Sequence, residues 1–130
     1  GVTVWDPKIQ QLTLENLLNH AEVATIIDLA LSHRITPFVN TIENHHHFIF
    51  HTDTRHDVER DQVRKYFSRT KAKLLPLDAL PVDSQVTNIS MIGCADTINE
   101  MWLELNTHPN LIAYSGPTTE GDTFRWMDIH

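Results

Sequence analysis

Apolar positions along the chain follow two different spacings, which predict a mixture of helices and strands. Residues 20–34 place apolar side chains three or four positions apart, the spacing of one helix face. Asn19 stands where a helix cap belongs. Residues 37–42 and 46–52 are instead rich in β-branched and aromatic residues, with a polar turn at Asn44. This part of the chain therefore predicts a helix followed by a hairpin.

The flanking segments add further strands and two more helices. Residues 10–18 predict a short first strand, and a second helix, capped by Asp53 or Thr54, is predicted up to Arg69. Two prolines restrict residues 72–82 to an edge strand or a loop. The remaining predicted elements are a buried strand at 86–93, a helix that begins near Asp96 or Thr97 and ends before Pro109, and two strands at 110–115 and 122–129.

The order of these elements predicts the fold class. It reads as a βαββαβ unit, which is the ferredoxin-like order, followed by βαββ, which begins the same order again. The sequence therefore predicts an α+β protein of two ferredoxin-like units, the first at residues 1–84 and the second, incomplete, at residues 85–130. We expect the second unit to pack on the first because each sheet must bury one face.

Composition agrees with a globular domain and excludes other classes of protein. The 130 residues are 41% hydrophobic and 21% charged, close to the globular average, and no apolar run has the roughly 18 residues of a membrane span. The single cysteine, Cys94, cannot form an internal disulfide, so we expect a cytoplasmic protein. Because the chain begins with Gly1 rather than methionine, we expect it to be a piece of a longer protein.

The formal net charge of −7 is unevenly distributed. Seven of the ten basic side chains lie within residues 55–73, a segment with only three acids. Since an acidic chain repels the phosphate backbone outside such a patch, we do not expect broad nucleic-acid binding. The patch has two interpretations: a solvated helix face, or an interaction domain that contacts its partner through the basic helix 55–69.

Two stretches of the sequence carry a family resemblance. The stretch ITPFVNTIENHHHFIFHTDT at 35–54 leads from a Thr-containing strand through an acidic residue into a hairpin that ends in Asp, with Thr41, Glu43 and Asp53 at the relevant places. The stretch VTNISMIG at 86–93 ends in a glycine at the turn into a helix. In these stretches, and in the order of elements, the chain resembles the paired ACT domains at the C-terminal regulatory end of aspartokinases.

The resemblance implies a regulatory module that binds an amino acid between units and biases an attached enzyme between two states. It implies a homodimer, no cofactor, no catalytic residue in this fragment, and a kinase domain that lies outside this chain. The ligand-binding positions that it implies are Gly93, Cys94, Ala95 and Asp96 at one turn, Asn16, Asn19 and His20 at the matching turn, and Asn40 and Thr41 on the matching strand.

The turn at residues 93–97 also has a physical case as a ligand site. Gly93 would let a ligand approach the backbone, and free N–H groups at a helix start can hold a carboxylate. Asp96 could hold an ammonium group on the same ligand. The alternative is that Asp96 only caps the helix.

Histidines suggest a different function. The chain has nine, and five of them lie within residues 45–56. Because alternate residues of a strand share a face, several of these imidazoles would lie together, and such a set can bind zinc. The candidate metal ligands on that face are His45, His47, His51 and Asp53. The alternative is that Phe48 and Phe50 face the core and the histidines face solvent or a partner subunit.

Overall fold

The computed structural model describes residues 17–65, 71–118 and 121–130, which form one mixed six-stranded sheet with three α-helices. In chain order the elements are α1 (His20–Ser32), β1 (Phe38–Glu43), β2 (His46–His51), α2 (Asp57–Lys65), β3 (Lys73–Pro76), a 3-10 turn (Leu77–Ala79), β4 (Val86–Cys94), α3 (Ala95–Leu105), β5 (Ala113–Thr118) and β6 (Gly121–Ile129). Within these ranges, no helix has the length and apolar character needed to cross a membrane.

The predicted start of α1 is confirmed by its cap. The Asn19 side chain accepts a hydrogen bond from the backbone N–H of Glu22 at 2.8 Å, and the Glu22 carboxylate accepts one from the backbone N–H of Asn19 at 2.9 Å. This reciprocal pair is a capping box, which satisfies two N–H groups that a helix start otherwise leaves unpaired.

The start of α2 differs from its prediction. The helix begins at Asp57 rather than after a cap at Asp53 or Thr54. Glu59, which is fully buried, holds this corner instead, because its carboxylate accepts hydrogen bonds from three backbone N–H groups. These donors are Thr36 at 2.6 Å, Arg55 at 2.9 Å and His56 at 3.0 Å. One carboxylate therefore joins the start of α2 to the segment before β1.

The start of α3 also differs from its prediction. The helix begins at Ala95, directly after Cys94, and the N-cap position makes no side-chain hydrogen bond. Asp96 lies within the first turn, where a negative charge favours the helix dipole. The N-cap position is Cys94, so the predicted caps at Asp96 and Thr97 were placed two or three residues too late.

The strand order across the sheet is β3-β2-β1-β4-β6-β5. All neighbouring strands are antiparallel except β2 and β3, which are parallel. The β1–β2 hairpin turns at Asn44 and His45, which have φ values of 49° and 67°. Two successive positive φ values match the right-handed twist of a hairpin, and Asn tolerates them better than most residues. The predicted hairpin and its turn at Asn44 are confirmed.

The α+β class is confirmed, but the structure does not show two ferredoxin-like units. In the second half, β6 lies between β4 and β5, as in the split βαβ arrangement of that fold. In the first half, β2 and β3 are direct neighbours, and β1 pairs with β4. The predicted strand at 10–18 lies outside the described residues except for its end, where Leu18 forms an isolated bridge with Val86. The division at 84/85 stays a prediction.

The two faces of the sheet are covered differently. On the apolar face, α1 and α3 pack against the sheet and form the main hydrophobic core. The helix residues buried there follow the spacing of a helix face: Val23, Ile26 and Ala30 from α1, and Ile98, Met101 and Leu105 from α3. On the opposite face, a small second cluster is formed by Phe38 and Ile49, against which Val63 of α2 packs.

Candidate functional site

Polar side chains cross the face of the sheet opposite the main core. Because alternate residues of a strand share a face, the register places Asn40 beside Asn88, and Ser90 beside Asp128. His47 lies two positions from Ile49, the partner of Asn40, and so faces the same way. We call this side the polar face, with Asn40, His47, Asn88, Ser90 and Asp128 as its polar centre.

The first half of the polar centre is held by Asn40. His47 Nε2 donates to Asn40 Oδ1 at 3.0 Å, since an amide oxygen can only accept. Asn40 Nδ2 donates to the Phe38 carbonyl at 3.2 Å and lies 3.5 Å from Ser90 Oγ. Burial lowers the pKa of His47 below its ordinary value, so at neutral pH the ring is neutral and its Nε2 carries the proton.

The second half of the polar centre surrounds the Asp128 carboxylate. Asn88 Nδ2 donates to Oδ1 at 2.6 Å, and His130 Nε2 donates to Oδ2 at 3.2 Å. Burial alone would raise the pKa of Asp128, but the hydrogen bonds from His130 and Asn88, together with nearby positive charge, outweigh it and lower the pKa. The carboxylate is therefore ionised at neutral pH.

A bulge orients the Asn88 amide toward Asp128. The register between β1 and β4 shifts after Asn40, so that Thr87 has no partner in β1. The Thr87 hydroxyl lies 2.9 Å from Asn88 Oδ1, which leaves the amide NH₂ group pointing at the carboxylate. Bulges commonly re-aim side chains beside functional sites in this way.

A cleft of about 420 Å³ opens beside the polar centre. The volume lies within the range of small-molecule sites. Its walls come from β1, β4, β5, β6 and α2, and they combine apolar and polar groups. The lining residues include Phe38, Gln62, Ser90, Ile92, Trp126 and Asp128. The arrangement offers a negatively charged acceptor, neutral hydrogen-bonding groups and an aromatic ring to one ligand.

A second cleft of about 410 Å³ lies at the other end of the sheet. It is lined by Thr41, Phe48 and the segment before β4, including Asp83 and Gln85. The side-chain hydrogen bonds described for the polar centre do not extend into it, so it is the weaker candidate for a site.

The turn at residues 93–97 has a structural explanation for its glycine. A Cβ at Gly93 would collide with Cδ1 of Ile35 and touch Ile98, so the glycine makes room for core side chains of the apolar face. Cys94 is exposed at the start of α3, where Ala95 and Asp96 form the first turn. None of these residues touches the polar centre in the described hydrogen bonds.

The other predicted ligand residues are dispersed. Asn16 lies outside the described residues, while Asn19 caps α1 and His20 is exposed in its first turn. Asn40 and Thr41 are buried in β1, but they point to opposite faces. Among the predicted ligand positions that the structure describes, Asn40 alone belongs to the polar centre.

The predicted alternation of the second hairpin strand is confirmed. His47 and His51 share the face of Ile49, while Phe48 and Phe50 pack on the main core. His51 Nδ1 donates to the Thr52 carbonyl at 2.6 Å. His45 lies in the turn, and Asp53 is exposed after the strand. Within the described ranges, no three His, Cys, Asp or Glu side chains converge to hold a metal ion.

Three members of the polar centre, Asn88, Ser90 and Asp128, were not predicted from the sequence, and neither was Trp126 of the cleft wall. A signal for the first two was present, because Asn88 and Ser90 interrupt the apolar strand VTNISMIG at alternate positions. Polar residues two apart in a buried strand must share one face. Their partner Asp128 is 40 residues further along the chain than Asn88, and no local pattern links the two.

Comparison with known proteins gives a likeness of fold. No protein-family model and no curated protein matches the chain. Among solved structures, it is similar to a haloacid dehalogenase-like hydrolase from Bacteroides thetaiotaomicron, with a TM-score of 0.55 and 12% sequence identity. The likeness covers 86% of this chain and 39% of that one. This chain therefore spans less than half the length of the hydrolase that it resembles.

This likeness corrects the function expected from the sequence. The fold agrees with part of a hydrolase rather than with an amino-acid-binding ACT regulatory module of the aspartokinase type. The element order misled because it does not determine which strands pair. In this structure, β2 and β3 form an adjacent parallel pair, and β1 pairs with β4.

Proposed function

We propose that this chain is part of a hydrolase and that its polar face binds the substrate of that hydrolase. Two findings support the proposal. The fold is similar to part of a haloacid dehalogenase-like hydrolase, and the polar face gathers Asn88, Ser90 and Asp128 beside a cleft of about 420 Å³. The observation that carries the proposal is the placement of a hydrogen-bonded, ionised carboxylate at the wall of an open cleft.

The chemistry of the polar centre suits binding and positioning. Asn40 and Asn88 are fixed by their own hydrogen bonds, so their side chains lose little further freedom when a ligand arrives. Asp128 offers a negative charge that its neighbours keep in place. A substrate lying over this face would be oriented by groups already in position.

A titration of the ¹⁵N-labelled chain with small hydrolase substrates tests the proposal by NMR. The panel contains a carboxylic ester, a carboxamide and a glycoside, all uncharged, because the Asp128 carboxylate would repel an anion. We expect one class to shift the backbone amide signals of Asn88, Ser90 and Asp128, while those of α1, on the other face, stay unchanged. Shifts confined to α1 or α3, or no shift with any class, would refute it.

A pair of serine variants serves as the matched control. Ser90→Ala removes a hydroxyl from the cleft wall, and Ser115→Ala removes one from β5, where Arg125 Nε donates to it at 3.2 Å. Ser115 pairs with Met127 and so lies on the apolar side. We expect Ser90→Ala to weaken substrate binding and Ser115→Ala to leave it unchanged.

A further inference from the structure

We infer that the cleft of the polar face takes a flat heteroaromatic ring that carries N–H groups, the chemistry shared by nucleobases and pterins, with the ring stacked on Trp126. This inference rests on the proposed function, since it names the class of molecule that the same face binds. Three observations support it: the orientation of the Trp126 indole, the Asp128 carboxylate on the same face, and the other groups that line the cleft.

The Trp126 indole lies flat against the sheet. Its partner in β5 is Gly116. A Cβ at Gly116 would come within 2.7 to 3.0 Å of three indole atoms, Cζ2, Cε2 and Nε1. Three ring atoms at nearly equal distance mean that the ring face, rather than its edge, covers the glycine. The glycine thus lets one face of the indole rest on the backbone.

The other face of the indole points away from the sheet. Trp126 is 40% exposed and lines the cleft, so a ligand can reach that outer face. An aromatic ring held in this way is a stacking platform, because a flat ligand loses little freedom by lying on it. Stacking of a base on an aromatic side chain strengthens binding by about 5- to 150-fold.

The acceptor that selects N–H groups is Asp128. It lies two positions after Trp126 on the same strand and therefore on the same face. An ionised carboxylate only accepts hydrogen bonds, and its two oxygens can accept about four in all. Ring and exocyclic N–H groups of a heterocycle on Trp126 are the donors that fit it.

The other residues that line the cleft supply polar and apolar groups for the same ring. Gln62 reaches the cleft from α2 and offers both a donor and an acceptor, and Ser90 Oγ offers the same from β4. Phe38 and Ile92 close the apolar side. An aromatic ring with polar edges matches these walls better than an aliphatic chain or an anion, which Asp128 would repel.

The two tryptophans of the described sheet and helix provide the test. Trp126 is 40% exposed and Trp102 is 37% exposed. Trp102 lies on α3, on the opposite side, where its Nε1 donates to the Ala113 carbonyl at 2.9 Å. Their indole N–H signals can be assigned in a ¹⁵N NMR spectrum from Trp126→Phe and Trp102→Phe. The ligands are adenosine, cytidine, pterin and, as a ring without aromatic faces, glucose, each up to about 5 mM.

We expect a heterocycle to shift the Trp126 indole signal and to leave the Trp102 signal in place. Trp126→Ala should weaken binding at least about fivefold, while Trp102→Phe should bind as the parent does. Gly116→Ala keeps the indole but displaces it, and should weaken binding by a similar factor with an unchanged far-ultraviolet circular dichroism spectrum. Comparing the affinities for adenosine, cytidine and pterin identifies which kind of ring the cleft prefers.

Two results would overturn the inference. One is that no heterocycle shifts the Trp126 signal up to the highest concentration. The other is that glucose shifts it as strongly as the heterocycles do. In either case, amide shifts of Asn88 and Ser90 with another substrate class would leave the proposed function standing, so the two failures are distinguishable. Asp128→Asn adds a check, because replacing an acceptor by a donor should weaken binding of N–H-bearing rings.

Discussion

The two faces of the sheet are stabilised by different interactions. On the apolar face, Ile89, Met91 and Met127 meet two helices and exclude water, so each side chain contributes by filling volume. On the polar face, Asn40, Asn88 and Asp128 are kept in place by hydrogen bonds to each other and to nearby backbone. The first face stabilises the fold, whereas the second accepts the cost of buried polar groups.

The largest predicted effect compares neighbours on the two faces of β4. Ile89→Ala empties a fully buried position and should lower the free energy of unfolding by about 2–5 kcal/mol. Ser90→Ala removes a hydroxyl whose hydrogen-bond distance to Asn40 Nδ2 is 3.5 Å, and should cost about 1 kcal/mol or less. Urea unfolding measures both. Equal losses of unfolding free energy would mean that the side chains of the polar face are packed as tightly as those of the apolar face.

The next effect concerns the carboxylate that holds α2 over the polar face. Glu59→Gln replaces one acceptor oxygen by a donor group that faces a backbone N–H. Since hydrogen bonds to charged groups contribute about 1.5–3 kcal/mol each, we expect a loss in that range. Glu100→Gln, on an exposed position of α3, is the control and should stay within about 0.5 kcal/mol. A silent Glu59→Gln would contradict the role of this carboxylate.

A smaller effect is the pH dependence that the polar face adds. Because burial lowers the pKa of His47 below its ordinary 6.5, the unfolded chain protonates this ring first. Stability therefore falls as the pH drops below 6.5. The lowered pKa of Asp128 adds a separate loss below its ordinary 3.8, because the stabilising carboxylate is then neutralised.

Two histidine variants isolate the first of these losses. His47→Gln keeps a donor toward Asn40 but cannot titrate, so its stability should change less than that of the parent between about pH 7.5 and pH 5.5. His46→Gln alters the exposed neighbour on the other side of β2 and should keep the parental change. Urea unfolding at both pH values measures the difference. If the two variants behave alike, His47 is not the titrating group.

Local elements of this fold could be predicted from the sequence. The 3.6-residue spacing of Val23, Ile26 and Ala30, with the cap at Asn19, predicts α1 because both signals lie within one stretch of chain. The hairpin around Asn44 is local in the same way. The start of α2 was misplaced because the group that holds it, Glu59, bonds to Thr36, 23 residues away.

The site could not be predicted because it depends on strand pairing. Asn40 and Asn88 meet through the β1–β4 pair, and Asn88 meets Asp128 through the β4–β6 pair. Each strand could have paired otherwise with the same alternation of side chains, as the expected ferredoxin-like units show. Asn40 was named from the sequence for a different ligand, and its neighbours became visible only when the register was known.

The smallest predicted effect is that of replacing Arg60, which follows the buried Glu59 in α2. It tests the contrast between buried and exposed polar groups. Arg60 Nη1 lies 2.6 Å from Asp57 Oδ1, but the two side chains are 53% and 93% exposed. Water screens such a pair and two long side chains lose freedom to form it, so Arg60→Ala should cost less than about 0.5 kcal/mol. The cost should shrink further in high salt. A loss comparable to that of Glu59→Gln would show that short distance, rather than burial, decides the strength of polar contacts in this helix.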